Sequence, residues 1–418
     1  MTVRRRSLLA LAATTLLLTP AGAAVASGNI MTGPPEPVAT TTAYRPELPR
    51  PTGRHAIGTT ELHLVDSSRT DPWSGSARPR ELMAGVWYPA VPTAGPRAPY
   101  VPAEIARTLA RDLTDLFELT PEQLDYAGVR SHARTGVPAY GRHPVVLYSP
   151  GFGTSRLMGT NHVEDLVSRG YVVVTIDHTG EAPVRFPGGR VTPAVVSHDA
   201  IKKALGVRVA DTRFVLDQLG RLAAGANPDA EHRPLPAGLR HALDLRRTGM
   251  FGYSLGGFAA AETMLVDRRI DAGANLDGTM GFGPDGELSE SAKRGLDRPF
   301  LLFGAQGHSH LPQPGAPWND PSWTSFWQHQ RGWKLDLSLP RGTHGSFADY
   351  QFSVPGLAQH AGVPDEVVDS LLGTVDPARS VRAQRAYLAA YFDQFLKGRP
   401  QALLRKESPR HPDVQFVR

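Results

Sequence analysis

The stretch Gly252-Tyr253-Ser254-Leu255-Gly256-Gly257 limits what this chain can fold into more than any other. An apolar-rich approach, Thr248 to Phe251, leads into it, and a helix-forming run from Phe258 to Met264 leads away. A serine flanked this way, at a strand-to-helix turn, is held at the strand tip with the next helix's N-terminus directed toward it. The turn is so tight that a side chain two residues to either side would strike its neighbours, which is why glycine stands there. The simpler reading is a glycine-rich loop; the strand before and the helix after favour the turn.

Such a unit needs a sheet around it. Thr60, Leu62 and Leu64 alternate with polar residues, and Leu82, Ala84, Val86 and Tyr88 share one side of the next run, so both read as strands. Pro144–Tyr148, Tyr171–Ile176, Ala272–Leu276 and Pro299–Phe303 are short apolar runs of the kind buried on both faces of a parallel sheet. Trp333–Leu339 supplies a last strand. Helices are predicted from about Met158 to Ser168, along Leu205, Val209, Thr212, Leu216 and Leu219, and along Val381, Leu388, Phe392 and Leu396. Strands alternating with helices predict an α/β fold, a mostly parallel central sheet with helices on both faces. Ile105, Leu109, Leu113 and Leu116 lie at helical spacing within an excursion over 102–141, which would be either a packing element or a lid over a substrate pocket.

The N-terminal residues carry an address. Arg4, Arg5 and Arg6, an apolar run from Leu8 to Leu18, and Ala24-Val25-Ala26 give residues 1–26 the pattern of a secretory signal peptide. The apolar run is too short to span a membrane and Pro20 ends it. Arg5-Arg6 also resembles a twin-arginine signal, so the export route stays open. The formal charge is +5; those three arginines supply three of it and residues 1–26 hold no acid, which leaves +2 and gives nucleic-acid binding no electrostatic support. There is no cysteine, hence no disulfide framework and no thiol nucleophile. Residues 27–53 read as a flexible Pro/Gly/Thr-rich linker, 54–400 as one domain, and 401–418 as a C-terminal tail.

A serine hydroxyl needs a base, and the base, usually histidine, needs an orienting carboxylate. Of fifteen histidines, His344 in Gly342-Thr343-His344-Gly345-Ser346 lies after the last strand, on a loop whose small neighbours allow close approach. Asp277 directly follows the strand Ala272–Leu276, where carboxylates of sheet-edge sites gather; the plainer alternative is an Asp-Gly turn. Asp336, inside a strand, and Asp349, just past the histidine, are rivals that fit less well. The oxyanion of a tetrahedral intermediate would be met by the backbone N–H of Leu255 and that of Phe152, between Gly151 and Gly153.

These segments, with Val86-Trp87-Tyr88-Pro89-Ala90, Ser149-Pro150-Gly151-Phe152-Gly153, Asp177-His178, Leu276-Asp277-Gly278 and Thr343-His344-Gly345-Ser346-Phe347-Ala348-Asp349, resemble the platelet-activating factor acetylhydrolase family of α/β-hydrolases, in a secreted bacterial form. The resemblance runs from about residue 55 to 400. It implies an α/β-hydrolase fold, Ser254, Asp277 and His344 as a catalytic triad, the Phe152 and Leu255 amides as oxyanion hole, and no metal or organic cofactor. It also implies a secreted serine carboxylester hydrolase acting on short acyl esters or lipid esters. Tyr253, Leu255 and the long Trp-rich stretch 308–333 depart from the family pattern and bear on the substrate rather than on the chemistry.

Other signals are weaker. Trp318, Trp323, Phe326, Trp327 and Trp333 would wall an acyl pocket, touch a lipid interface transiently, or pack a long loop, packing being preferred. His308-Ser309-His310 has the look of a metal pair but no suitably spaced carboxylate, and a structural or solvent-exposed role is expected. Gly188-Gly189 lacks a phosphate-loop lysine. Two other functions use the same residues, a catalytically silent cell-envelope binding protein and an acyltransferase. An intact Ser, Asp and His set argues against the first, and nothing in the chain speaks for the second. Nothing in the chain speaks to oligomeric state.

Overall fold

The computed structural model describes residues 42–282, 286–311 and 320–418. One sheet of eleven strands runs through it. In chain order these are β1 (Ala56–Thr70), β2 (Pro79–Ala90), β3 (Arg97–Pro99), β4 (Arg130–Thr135), β5 (His143–Ser149), β6 (Val172–Asp177), β7 (Leu243–Tyr253), β8 (Ala272–Leu276), β9 (Phe300–Gly304), β10 (Lys334–Ser338) and β11 (Gln415–Phe416). Across the sheet the order is β11-β10-β9-β8-β7-β5-β6-β2-β1-β4-β3. From β10 to β6 every neighbouring pair is parallel. The main helices are α1 (Ala103–Thr114), α2 (Thr160–Ser168), α3 (Ile201–Ala223), α4 (Leu255–Val266), α5 (Pro321–His329), α6 (Tyr350–Ala361), α7 (Asp365–Leu372) and α8 (Pro377–Leu396).

The period of two explains why the central runs are apolar throughout. Val145 and Leu147 of β5 join one core, and Val146 and Tyr148 the other. Phe300 and Leu302 of β9 divide from Leu301 and Phe303 in the same way. The first face is covered by Leu216 and Leu219 of α3, Phe258 and Met264 of α4, and Trp323 and Phe326 of α5. The second is covered by Val163 and Leu166 of α2 and Leu388, Phe392 and Leu396 of α8. This is the expected mostly parallel sheet with helices on both faces.

The 102–141 excursion packs. Ile105, Leu109 and Leu113 of α1 share a third apolar cluster with Val354 and Leu357 of α6 and Leu371 and Leu372 of α7. Its second half returns to the sheet as β4, beside β1. Neither α6 nor α7 was anticipated: Pro355 lies inside α6, where a proline ordinarily argues against a helix.

Two expected boundaries need correction. Residues 1–26 and 27–41 lie outside the described residues, but 42–53 are not a loose linker. Tyr44 exchanges backbone hydrogen bonds of 2.8 Å with Gln123 and Asp125, Thr52 N–H donates to Asp165 over 2.8 Å, and Leu48 is buried. These anchors are single side chains and backbone pairs, so they leave no periodic pattern. The segment 401–418 is no free tail either. Its β11 extends the sheet at β10, Val414 is buried, and Asp413 takes Arg341 and Arg379.

Candidate active site

Strand β7 ends and helix α4 begins within one residue, Ser254. Its backbone adopts φ 55°, ψ −127°, a region that residues with a side chain rarely enter. The surroundings hold it there: Ser254 N–H donates to the Leu276 carbonyl over 2.9 Å, and the Ser254 carbonyl accepts from Gly257 N–H at 2.9 Å. A Cβ on Gly252 would lie 2.1 Å from the Gly256 carbonyl carbon, and one on Gly256 would lie 1.9 Å from the Ser149 carbonyl oxygen. The second clash shows what that glycine does: it lets the first turn of α4 pack directly on the loop after β5.

Strand β8 supplies the acid. Asp277 follows it with φ 58°, in the left-handed region. Asn275 brackets the turn, accepting from Gly278 N–H at 2.8 Å and donating to the Gly278 carbonyl at 2.6 Å. Turn and functional carboxylate are thus the same feature. The base comes from a short helical turn, His344–Phe347, fixed by Ser346 Oγ accepting from Thr343 N–H at 3.1 Å. His344 Nε2 is 3.0 Å from Ser254 Oγ, and His344 Nδ1 is 2.6 Å from Asp277 Oδ2. The imidazole leans on the Tyr253 ring, centroids 4.8 Å apart. The His344 side chain is 40% exposed while that of Asp277 is 4% exposed, so the base meets solvent and the acid does not. Burial alone would push the Asp277 carboxyl up, but the His308 and His344 imidazoles outweigh it and hold the group below the usual carboxylate range. Both rivals are engaged elsewhere. Asp336 bonds to His310 Nδ1 at 2.7 Å, and Asp349, fully buried, accepts from Asn161 Nδ2 at 2.7 Å and Tyr100 OH at 3.1 Å.

The loop carrying Phe152 follows β5 and lies against the elbow. Leu255 is the first residue of α4, where backbone N–H groups have no acceptor within their own helix. Beneath the loop lies Arg208 of α3, fully buried and missed in the sequence reading. It donates through Nη1 to the Pro150 carbonyl and through Nη2 to the Gly151 carbonyl at 3.0 Å, and its charge is met by Glu181 Oε2 at 2.6 Å. With these carbonyls held from below, the loop is fixed against the elbow. Ser149 Oγ, His178 and Asp211 form a second hydrogen-bonded row, 2.9 and 3.1 Å, but all three are buried, so this row braces the loop from inside the fold.

Of the two roles expected for the His308-Ser309-His310 segment, the structure shows the structural one, both imidazoles lying largely buried. Each histidine does find a carboxylate, distant in sequence. His308 Nδ1 is 2.8 Å from Asp277 Oδ1 and its Nε2 is 3.0 Å from Asp320 Oδ2. The signal for His308 was present: it follows β9, the strand next to β8, so the rule that picked out Asp277 also covers it. Among the described aromatics of this region the roles are structural. Trp323 is buried, donates to the Gly278 carbonyl at 2.8 Å and lies 4.0 Å from the His308 ring, and Trp327 stacks on His310 at 3.9 Å. Trp333 packs with Tyr391 and Phe395, and Trp318 lies outside the described residues.

A parallel sheet with a half-buried serine at a strand tip, faced by histidine and a buried carboxylate, defines the α/β-hydrolase class, and this chain is a carboxylic ester hydrolase of it. It is 40% identical to a ferulic acid esterase from Streptomyces cinnamoneus of known structure, over 89% of this chain and 99% of that one, with a TM-score of 0.72. It is 29% identical to a probable 1-alkyl-2-acetylglycerophosphocholine esterase from Arthroderma benhamiae, over 88% of this chain and 93% of that protein. No family model matches the chain. The chain belongs to the same family of α/β-hydrolase esterases as the Streptomyces enzyme, and is similar to the acetylglycerophosphocholine esterase type through the fungal protein.

Proposed function

We propose that the protein is a secreted serine esterase that cleaves short acyl or lipid esters through an acyl-enzyme on Ser254. The observation that carries the reading is the unbroken row Ser254 Oγ, His344, Asp277, with gaps of 3.0 and 2.6 Å. His344 Nε2 takes the hydroxyl proton as Oγ attacks the ester carbonyl, while Asp277 keeps Nδ1 protonated and stabilises the imidazolium. The tetrahedral oxyanion is met by the Leu255 and Phe152 amides, each worth about 3–4 kcal/mol of transition-state stabilisation. Collapse expels the alcohol, which receives the proton from His344. Water, deprotonated by the same imidazole, then releases the acid and restores Ser254.

The fungal relative's name supports a short acyl group on a phospholipid. A second reading, an aromatic acyl group, is favoured by the 40% identical ferulic acid esterase and by the Phe152 ring meeting His198 edge-on at 5.7 Å beside the oxyanion loop. Rates on p-nitrophenyl esters of rising length, a short-chain phospholipid and methyl ferulate separate the two. A steep fall beyond a few carbons with turnover of the phospholipid supports the first reading, and preference for the ferulate supports the second. Loss of all turnover by at least about a thousandfold is expected in Ser254→Ala and His344→Ala; retained turnover there sinks both. Export is supported by the pattern of residues 1–26 and is tested by the N-terminus of protein recovered from culture medium, expected just after Ala26.

A further inference from the structure

We infer that His308 is a positioning residue for this site: an imidazolium clamped between Asp320 and Asp277 that fixes the Asp277 carboxylate toward His344 and moderates its pull on that ring. This rests on the reading of Ser254, His344 and Asp277 given above. A neutral imidazole has one N–H and can donate to one acceptor. His308 has a carboxylate oxygen at each ring nitrogen, 2.8 Å at Nδ1 and 3.0 Å at Nε2, so only the doubly protonated ring satisfies both. Asp320 is itself anchored at the start of α5, accepting from Ser322 N–H at 2.8 Å. The face of Trp323, 4.0 Å away, suits a cation.

The consequence falls on Asp277. Its Oδ1 accepts from His308 and from Ala305 N–H at 2.7 Å, which leaves Oδ2 to His344. The carboxylate cannot rotate without giving up two hydrogen bonds. Its charge is also shared between two rings. A lone carboxylate would act on the His344 ring alone, and a second cation on the same carboxylate offsets part of that pull. The groups facing His308 are Asp277 after β8, Asp320 at α5, Asp336 on β10 with its partner His310, and His344 across Asp277. Burial works against a charge on His308, yet Asp277 and Asp320 prevail and its pKa is raised to about 10.

The test is the pH profile of kcat/KM for p-nitrophenyl acetate with the full chain. His308→Gln removes the charge and keeps a donor for Asp277. Its acid limb is expected to move up by about one pH unit, with KM changed less than about twofold; Asp320→Asn removes a negative charge while Asp277 still holds the His308 ring charged, and is expected to move the limb the other way by less. A limb that stays in place in both variants while kcat falls evenly across pH would mean a structural role only and overturn the proposal. Should the variants fail to fold, the wild-type protein decides. With isotope-labelled histidine, NMR at about pH 9 should show one ring still protonated at both nitrogens, since an ordinary histidine is neutral there; no such ring overturns the proposal. These readouts are separate from the Ser254→Ala test, whose failure would remove the esterase mechanism while leaving the state of the His308 ring measurable.

Discussion

Gly256 and Gly206 show how much one hydrogen atom in place of a methyl can decide. At Gly256 a Cβ would lie 1.9 Å from the Ser149 carbonyl oxygen, a backbone atom that cannot move without shifting the oxyanion loop. Gly256→Ala is expected to cost at least about 3 kcal/mol in urea unfolding and to abolish hydrolysis. At Gly206, inside α3, nothing lies within 4 Å, and Gly206→Ala is expected to stabilise by about 0.5–1 kcal/mol with activity unchanged. Equal effects would refute the packing account of the elbow. The elbow, Asp277 and His344 were legible because each combines a residue type that chemistry demands with a strand end that can be read locally. Arg208 was not singled out, and His308 was noticed without its role, because what each does is set by carbonyls or carboxylates far away in the chain.

The pairing of the excursion with α6 and α7 belongs to a layer that sequence periodicity did not announce. Proline inside α6 masks the helix, and α1 alone cannot say which surface it will cover. Leu357 is fully buried in that shared cluster. Leu357→Ala is expected to lower stability by about 2–5 kcal/mol in urea unfolding, since a cavity opens between two elements. A loss below about 1 kcal/mol would mean that the excursion is only loosely seated. The central strands, by contrast, were readable nearly residue by residue, because burial on both faces forces a continuous apolar run. Short edge strands such as β3 and β11 carry no such pattern, as their pairing is set by their neighbours.

At the scale of the whole molecule, eleven strands, two helix layers and the excursion converge on one rim of the sheet, where five chain segments bring Ser254, Asp277, His308, Asp320 and His344 into one hydrogen-bonded row. That convergence ties stability to pH. His308 is raised in the fold from 6.5 to about 10, so its contribution is present in full below about pH 6.5 and is lost as pH rises through about 10. The urea midpoint of the wild type should therefore fall more between neutral pH and about pH 10 than that of His308→Gln; parallel curves would contradict the buried imidazolium. The central claim is that Ser254 is the nucleophile that this architecture prepares. The most direct test is labelling with a serine-reactive fluorophosphonate, the adduct located by peptide mass spectrometry. The account predicts a single adduct on Ser254, absent from Ser254→Ala and formed far more slowly in His344→Ala; undiminished labelling of Ser254→Ala would contradict it.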